Sequence, residues 1–454
     1  MTRPFLTAVI RITRTISMVA VAALALLAGV ADAQDKKTEI QFWHAMQGVR
    51  GDALETLVKQ FNQSQEEFEV KAVYKGTYPE VQQSAMAAFR QKSAPHIIQA
   101  HDAATLSMIL SDTIVPVYRL MKQQQVEVDW DDFIETITSY YSKDSKLNSM
   151  PFNVSTAILY YNKDAFRKAG LDDKPPGTWQ DVETMSRKIL ASGAATCGFT
   201  TGGSPSWDLL ENIFPWHDQP FATNKNGYTD LDTRLLINSA FGRMHVGALA
   251  RWHKENLFVS GGWEGKSERF INGDCAMILE ESGSIGNFKQ TLKFDWGTGS
   301  LPHWGQPYKK ANTILGGATL WVLKGRKPAD YRGVAQFMKF IVEPRQQMWW
   351  TVTTGFVPIT RTSFKSLEDS GFYKQNPEQW TAINQLLNAK PTWKSRGLRL
   401  GNYVQVREAI ELELENIYNG KKTVNEGLDA AVLRGNAILR EFSVSHGAAP
   451  QGEI

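Results

Sequence analysis

Residues 40–43 read Ile-Gln-Phe-Trp, residues 68–74 read Phe-Glu-Val-Lys-Ala-Val-Tyr, and residues 96–99 read His-Ile-Ile-Gln. Each segment predicts a β-strand, since it is either a short apolar run or alternates apolar with polar residues. Apolar residues recur at helical spacing between these segments: Leu54, Leu57, Val58 and Phe61, then Val81, Ala85, Ala88 and Phe89. Strands that alternate with helices predict an open α/β sheet.

The same alternation continues in the middle of the chain. Residues 157–161 predict a strand that leads directly into a helix at residues 162–164. Thr178 closes a Pro-rich loop and predicts the N-cap of a further helix. Residues 313–322 predict a buried strand that is interrupted by two glycines.

The C-terminal part is predicted to be mainly helical. Residues 339–350 predict a helix that continues through a Glu-Pro pair, and residues 354–358 are predicted to end it. Residues 423–426 read Thr-Val-Asn-Glu, a capping box that opens the last long helix. The polar, Gly- and Ala-rich chain after Phe442 is expected to fray.

The N-terminal residues are typical of a secretory signal. Three arginines give a basic start, residues 18–29 are an apolar run, and residues 31–33 read Ala-Asp-Ala, a cleavage site. The run is too short to cross about 30 Å of hydrocarbon, and no later segment reaches roughly 18 uninterrupted apolar residues. We therefore predict that residues 1–33 are a signal peptide and that the mature chain is periplasmic and does not span the membrane.

Length and charge narrow the class of protein further. The chain has 454 residues, too many for one simple core, so two lobes are expected. It carries 50 basic and 47 acidic residues, and loss of the predicted signal leaves a net charge near +1. Without a clustered basic surface, a nucleic-acid partner is not expected.

Two cysteines, Cys197 and Cys275, follow the export signal. An oxidising compartment permits a disulfide between them. The sequence does not place their Cα atoms within bonding range, so two buried thiols that behave as small apolar side chains are an equal alternative.

Motifs of enzymes and metal sites are missing from the sequence. The eight histidines are scattered, with neither an H-E-x-x-H motif nor a Cys/His cluster at metal spacing. Gly202, Gly203 and Ser204 are not followed by the glycine that a nucleophile elbow requires. Glu280 and Glu281 are neighbours, so on a strand they point to opposite faces. We predict no enzymatic activity, no cofactor and no metal.

Several strings resemble the family of binding proteins that serve sugar-type ABC importers, and they occur in that family's order. They are residues 160–166, 175–179, 270–277 and 354–360. Further strings are similar to the branch of the family that binds sn-glycerol-3-phosphate. They are residues 42–46, 74–78, 151–153, 312–322 and 397–402. The resemblance extends over essentially the whole mature chain.

This resemblance implies a two-lobed periplasmic binding protein fold of the maltose-binding-protein type (type II), with a hinge between α/β lobes. It places lobe one at residues 34–153 plus 312–354, lobe two at residues 154–311 plus 355–445, and a flexible tail at residues 446–454. It implies a monomer that captures sn-glycerol-3-phosphate or a glycerophosphodiester and delivers it to two ABC permease subunits with their ATPase. A receptor that also signals to a membrane sensor would carry the same features.

The resemblance also implies contacts with the phosphate end of the ligand. Ser155 and Arg407 would contact phosphate oxygens together with the backbone N–H of Gly317, and Tyr78 would donate its phenol to the same end. Arginine suits this role because its planar fork donates two parallel hydrogen bonds. By themselves, Gly317 would more commonly mark a bend, and Arg407 would form a solvated ion pair with nearby glutamates.

Two further positions are implied at the glycerol end. Asp102 would accept hydrogen bonds from the glycerol hydroxyls, and Trp207 would form an apolar wall. Outside the resemblance, Asp102 is a candidate helix cap and Trp207 a packing residue.

The cleft departs from the branch at three positions. Glu281, just before Ser282, stands where the branch tends to have Ser. Phe356 stands where the branch has Tyr, and Ser204 stands where the branch has a second Trp in the cleft. A carboxylate about 4 Å from a phosphate costs about 4 kcal/mol at an effective dielectric of about 20. Either Glu281 turns away, or it pairs with Arg407 or a lysine, or the ligand is not a simple phosphate monoester. A glycerophosphodiester with an amine-bearing head group and a neutral sugar or polyol are the alternatives.

Overall fold

The structure, a computed structural model, describes residues 37–261 and 267–447. The predicted signal peptide, residues 1–33, lies outside the described residues, as does most of the predicted tail. None of the helices within the described ranges is both long and apolar enough to cross a membrane.

Strands in the described residues are β1 Thr38–His44, β2 Phe68–Tyr74, β3 Ile97–His101, β4 Ile114–Val115, β5 Ser142–Lys143, β6 Lys146–Leu147, β7 Met150–Ser155, β8 Ala157–Asn162, β9 Cys197–Thr201, β10 Phe258–Val259, β11 Cys275–Glu281, β12 Trp296–Gly299 and β13 Gly316–Leu323. The α-helices there are α1 Gly48–Ser64, α2 Tyr78–Arg90, α3 Thr105–Leu110, α4 Val117–Gln123, α5 Glu135–Tyr141, α6 Lys163–Lys168, α7 Trp179–Ala191, α8 Ile213–Trp216, α9 Ala240–Lys254, α10 Glu268–Ile271, α11 Ile285–Thr291, α12 Pro328–Val342, α13 Pro344–Thr354, α14 Arg361–Asp369, α15 Phe372–Gln375, α16 Pro377–Leu386, α17 Tyr403–Tyr418 and α18 Val424–Gly447. Short 3₁₀ turns lie at Asp102–Ala104, Trp130–Asp132 and Ser282–Ser284, a π turn at Trp207–Glu211, and a left-handed turn at Thr223–Gly227.

The first sheet has the strand order β2-β1-β3-β13-β4, and β7 also pairs with β13. Strands β1, β2 and β3 are parallel, whereas β13 runs antiparallel to β3, β4 and β7. Helix α1 covers this sheet with the apolar face that the sequence predicts, since Leu54, Leu57, Val58 and Phe61 are all buried. We call the part of the molecule around this sheet the first lobe.

The second sheet has the strand order β10-β9-β11-β8-β12. Strands β9, β10 and β11 are parallel, and β8 is antiparallel to β11 and β12. Cys197 on β9 lies opposite Cys275 on β11 with the Cα atoms 4.6 Å apart, and the two residues form a disulfide. The sequence left open a disulfide or two buried thiols, and the structure has the disulfide. The part of the molecule around this sheet is the second lobe.

The chain passes between the sheets at Thr156, the one residue between β7 and β8. Its Oγ1 lies 2.8 Å from Oγ1 of Thr313, on another passage between the sheets, and donates to the carbonyl of Ile314 at 2.9 Å. Its carbonyl accepts from the N–H of Ser282 at 2.9 Å. These bonds tie the passages together at one place.

Three predictions about element boundaries are wrong. The predicted strand at 313–322 begins only at Gly316, because Thr313 takes part in the passage between the sheets. The predicted continuous helix is two helices, α12 and α13, since Glu343 precedes a proline and adopts an extended ψ of 140°. The chain does not fray directly after Phe442, because α18 runs to Gly447.

Other local predictions are confirmed. The side chain of Thr178 accepts from the N–H of Asp181 and caps α7. Thr423 and Glu426 form the predicted capping box of α18. Gly355 ends α13 with a φ of +88°, a conformation that glycine adopts without strain.

Candidate functional site

The candidate site lies between the two sheets, where several elements of both lobes end. Asp102 follows β3 of the first lobe, and Ser155 ends β7. Glu281 ends β11 of the second lobe, and Arg407 lies one turn into α17. Hydrogen bonds join Asp102 to Arg407 and Ser155 to Glu281, so these four predicted residues are paired where the two lobes meet.

Arg407 is the buried cation of this cleft, with 9% of the residue exposed. Its Nε and Nη2 donate to the two carboxylate oxygens of Glu211 at 2.9 and 2.7 Å. Nη2 also donates to Asp102 Oδ2 at 3.1 Å. Burial alone would lower the pKa of Arg407, but the two carboxylates raise it well above its ordinary value. Arg407 is therefore a permanent charge held in a fixed orientation, and not a solvated surface residue.

Asp102 reaches Arg407 from the opposite lobe. Burial raises the pKa of the Asp102 carboxyl, an effect that the Arg407 guanidinium opposes. The N–H of Ala103 is bonded to His101 Nδ1 at 3.1 Å, so the cap of this 3₁₀ turn is supplied by His101. Asp102 thus acts in an ion pair between the lobes, and the cap interpretation does not apply.

Glu281 corrects one expectation from the sequence. Its partner is neither Arg407 nor a lysine but Arg50, on the first turn of α1, with 2.5 Å between Oε1 and Nη1. Arg50 Nη2 donates to Ser284 Oγ at 3.0 Å. The other carboxylate oxygen of Glu281 accepts from Ser155 Oγ at 3.0 Å. Both carboxylate oxygens of Glu281 are therefore engaged, one by Arg50 on α1 and one by Ser155 at the end of β7.

Tyr78 and Gly317 lie beside these groups on the first lobe. Tyr78 Oη accepts from Asn153 Nδ2 at 3.0 Å, which leaves the phenol hydrogen able to donate to a ligand. Gly317 has a φ of +97°, and a Cβ there would overlap the carbonyl oxygen of Asn153. Glycine is required at this position because the backbone is left-handed and closely packed.

Trp207, Ser282 and Phe356 are all buried near the boundary between the lobes. Trp207 is 7% exposed and packs its ring against Gly316. Ser282 is buried, and its Oγ accepts from the N–H of Thr156 at 3.3 Å. Phe356 is buried and stacks on Trp350, with its ring centroid 5.4 Å from the guanidinium of Arg50. Phe356 therefore supports Arg50 through a cation–π contact.

Three buried carboxyl groups lie beside the cleft in the second lobe. Burial raises the pKa of Glu411 to about 7 and that of Glu280 to about 6, and it also raises the pKa of Asp208 well above its ordinary value. Ser204 donates to Glu411, so the residue that replaces a second cleft Trp binds an acidic side chain. The described residues contain no group of acidic, His and Cys side chains that could hold a metal ion.

Two site residues were missed by sequence reasoning, Arg50 and Glu211. Arg50 lies shortly after the string at residues 42–46, and the unusual Glu281 signalled that a cation was needed. Glu211 carries no such signal, because its partner Arg407 lies 196 residues away in the chain.

The site contains hydrogen-bond donors, and its positively charged side chains are each bonded to carboxylates. The cations are Arg50 and Arg407, and the carboxylates bonded to them are Asp102, Glu211 and Glu281. The contacts of Arg407 use Nε and Nη2, so its Nη1 can donate to a bound oxyanion. Such a site can hold a small polar molecule by converging hydrogen bonds.

Comparison with known proteins gives the family. Residues 56–381 match the model of the bacterial extracellular solute-binding proteins. The sn-glycerol-3-phosphate-binding periplasmic protein UgpB of Escherichia coli K12 is 41% identical over 414 residues, which cover 90% of this chain and 94% of that protein. UgpB of Shigella flexneri serotype 5b has the same identity and coverage. These relatives are named as periplasmic, and the predicted localisation is confirmed.

Solved structures show the same fold at low sequence identity. UgpB from Mycobacterium tuberculosis in complex with glycerophosphocholine matches with a TM-score of 0.76 and 19% identity, over 89% of this chain and 99% of that chain. Maltose-bound MalE3 of T. maritima matches with a TM-score of 0.72 and 17% identity, over 88% and 99% of the two chains. The predicted two-lobed, maltose-binding-protein-like fold is confirmed, and the chain belongs to the bacterial extracellular solute-binding proteins.

Proposed function

We propose that this chain captures sn-glycerol-3-phosphate or a glycerophosphodiester between its lobes and delivers it to an ABC importer. One observation carries the proposal. Where the lobes meet, Asp102 is hydrogen-bonded to Arg407 and Ser155 to Glu281, in a chain 41% identical to proteins named for binding sn-glycerol-3-phosphate. Arg407 Nη1 and the Tyr78 phenol supply donors for phosphate oxygens. The Ser155 hydroxyl adds a donor only when its one hydrogen turns from Glu281 to the ligand. Asp102 supplies an acceptor for the glycerol hydroxyls, and Trp207 an apolar wall.

Calorimetry on the purified mature chain tests this proposal. Glycerol-3-phosphate, glycerophosphocholine and maltose are titrated separately into the same preparation. We expect binding of at least one glycerophospho compound and no binding of maltose. Tightest binding of maltose would overturn the proposal.

A second candidate is a neutral sugar or polyol. Both guanidinium groups of the cleft already have carboxylate partners, and Phe356 has no hydroxyl to donate. These features favour a ligand without charge. A binding profile restricted to phosphate-free compounds would select this candidate.

The remaining features of the proposal concern lobes and partners. We propose lobe boundaries at residues 34–153 plus 312–354 and at residues 154–311 plus 355–445, with closure about the passages between them. The chain acts as a monomer with two permease subunits and their ATPase, and it is a binding protein without enzymatic turnover or a cofactor. Light scattering of the purified chain tests whether it is a monomer, and a stable dimer would contradict this. An assay for glycerophosphodiester hydrolysis tests the absence of enzymatic turnover, and measurable hydrolysis would contradict it.

A further inference from the structure

The ion pair between Arg50 and Glu281 joins two lobes at the edge of the ligand cleft. The two side chains come from positions 231 residues apart, and they are 27% and 23% exposed. Each is held by a second contact, Arg50 by Ser284 and Glu281 by Ser155. The pair therefore has a defined orientation, which is unusual for partly exposed charges.

The charges around the cleft are not balanced. Two guanidinium groups are bonded to three carboxylates, and Glu280 lies next to this set. A phosphate monoester carries nearly two negative charges at neutral pH, because its second pKa is about 6, whereas a phosphodiester carries one. Repulsion by the Glu281 carboxylate grows with the charge of the ligand, and so does attraction by a free Arg50 guanidinium.

We propose, on the basis of the proposed function, that Arg50 and Glu281 determine the charge of the phosphate group that the cleft accepts. Glu281 occupies the guanidinium of Arg50 and faces the cleft with a negative charge. The pair thereby favours a singly charged phosphodiester over a doubly charged monoester. Ser155 couples this choice to the ligand, because its hydroxyl has one hydrogen, which it donates either to Glu281 or to the phosphate.

The experiment measures the affinity of two nearly isosteric ligands, glycerol-3-phosphate and its monomethyl ester, for a set of variants of the mature chain. Glu281→Gln keeps the shape of the side chain and frees Arg50. It should raise the affinity ratio of monoester to methyl ester by at least about ten-fold. Arg50→Gln leaves Glu281 unpaired and should lower the ratio. The double variant should return towards the wild-type ratio, because the two residues act as one unit.

Glu183→Gln is the matched control, since Glu183 also pairs with arginines but lies on the surface of the second lobe. It should leave the ratio unchanged. Ratios for Glu281→Gln and Arg50→Gln that stay within about two-fold of wild type, or that shift equally in the control, would overturn the inference. If neither ligand binds the wild type or any variant, the proposed function itself fails and the inference fails with it.

Discussion

Asp102 and Arg407 connect the two lobes by a direct hydrogen-bonded ion pair, with 3.1 Å between Oδ2 and Nη2. Asp102 is attached to the first sheet and Arg407 to a helix of the second lobe. Glu211 holds the same guanidinium from within the second lobe at 2.7 Å. Arg407 is thus oriented by its own lobe, and its Nη2 donates to both lobes, to Glu211 and to Asp102.

Replacement of this arginine should weaken binding strongly. We expect Arg407→Ala to weaken a phosphate ligand by about 2–5 kcal/mol, as for truncation of one partner of a buried charge pair. Calorimetry with the best ligand of the wild type measures the loss. Arg434→Ala removes an exposed arginine that pairs with Glu413 and should leave affinity unchanged. Undiminished affinity in Arg407→Ala would remove Arg407 from the site.

The glycine at the head of β13 should not tolerate a side chain. Gly317→Ala places a Cβ against the Asn153 carbonyl at a positive φ, so we expect a loss of about 1–3 kcal/mol of stability and weaker ligand binding. Urea unfolding measures the first effect and calorimetry the second. Gly247→Ala, in the middle of α9 with open space around it, should instead be neutral or stabilising by up to about 1 kcal/mol. Equal effects of both substitutions would contradict the interpretation that a side chain at Gly317 strains the backbone.

The buried carboxyl of Glu411 should make stability depend on pH. Its pKa is raised by burial from 4.5 to about 7, with Ser204, Arg407 and Glu211 as its neighbours. The folded state therefore holds the proton more tightly than the unfolded state, and this contribution is complete below about pH 4.5 and is lost as pH rises through about 7. It amounts to about 3 kcal/mol.

Denaturant unfolding of wild type and Glu411→Gln between about pH 5 and 8 measures this effect. The wild type should lose stability relative to the variant as pH rises. Glu368→Gln, a conservative change on α14 outside the cleft, serves as the control and should follow the wild type. Parallel curves for wild type and Glu411→Gln would show that Glu411 ionises normally.

The disulfide between β9 and β11 should stabilise the second lobe. Replacing Cys197 and Cys275 together by Ala should lower the free energy of unfolding by about 2–4 kcal/mol, because the unfolded chain loses the constraint on a loop of 78 residues. Urea unfolding measures the change. Reducing agent should lower the stability of the wild type and leave the double variant unaffected. Equal stability of oxidised wild type and variant would contradict a stabilising role.

Local features of the sequence predicted the fold well where short-range patterns decide it. The apolar face of α1, the alternation in β2 and the Thr178 cap depend on residues within a few positions of each other. The break at Glu343 also had a local signal, the following proline, and helical periodicity on both sides concealed it. Boundaries set by tertiary contacts, such as the late start of β13 at Gly316, carried no local pattern.

The candidate site was predictable only in part, for a physical reason. The polar residues that face the cleft could be named by resemblance, but their partners depend on how the lobes meet. Glu281 pairs with Arg50, which lies 231 residues away in the sequence, and Arg407 pairs with Glu211, which lies 196 residues away. A buried charge costs free energy unless it has a charged or hydrogen-bonding partner, so partners were to be expected. The tertiary fold determines which residues serve as those partners.

The single residue between β7 and β8 places Ser155 next to the passage about which we propose that the lobes close. When one lobe turns against the other, atoms move in proportion to their distance from the axis of rotation, and the Thr156–Thr313 hydroxyl bond lies where the chain crosses between the lobes. Ser155 is one residue from this crossing, whereas Arg50 and Arg407 lie on helices of opposite lobes. If the lobes close about these passages, as we propose, we expect Ser155 to move least and the two guanidinium groups to move further. A ligand in the open cleft would then contact the Ser155 hydroxyl close to its final position, before Arg50 and Arg407 reach it.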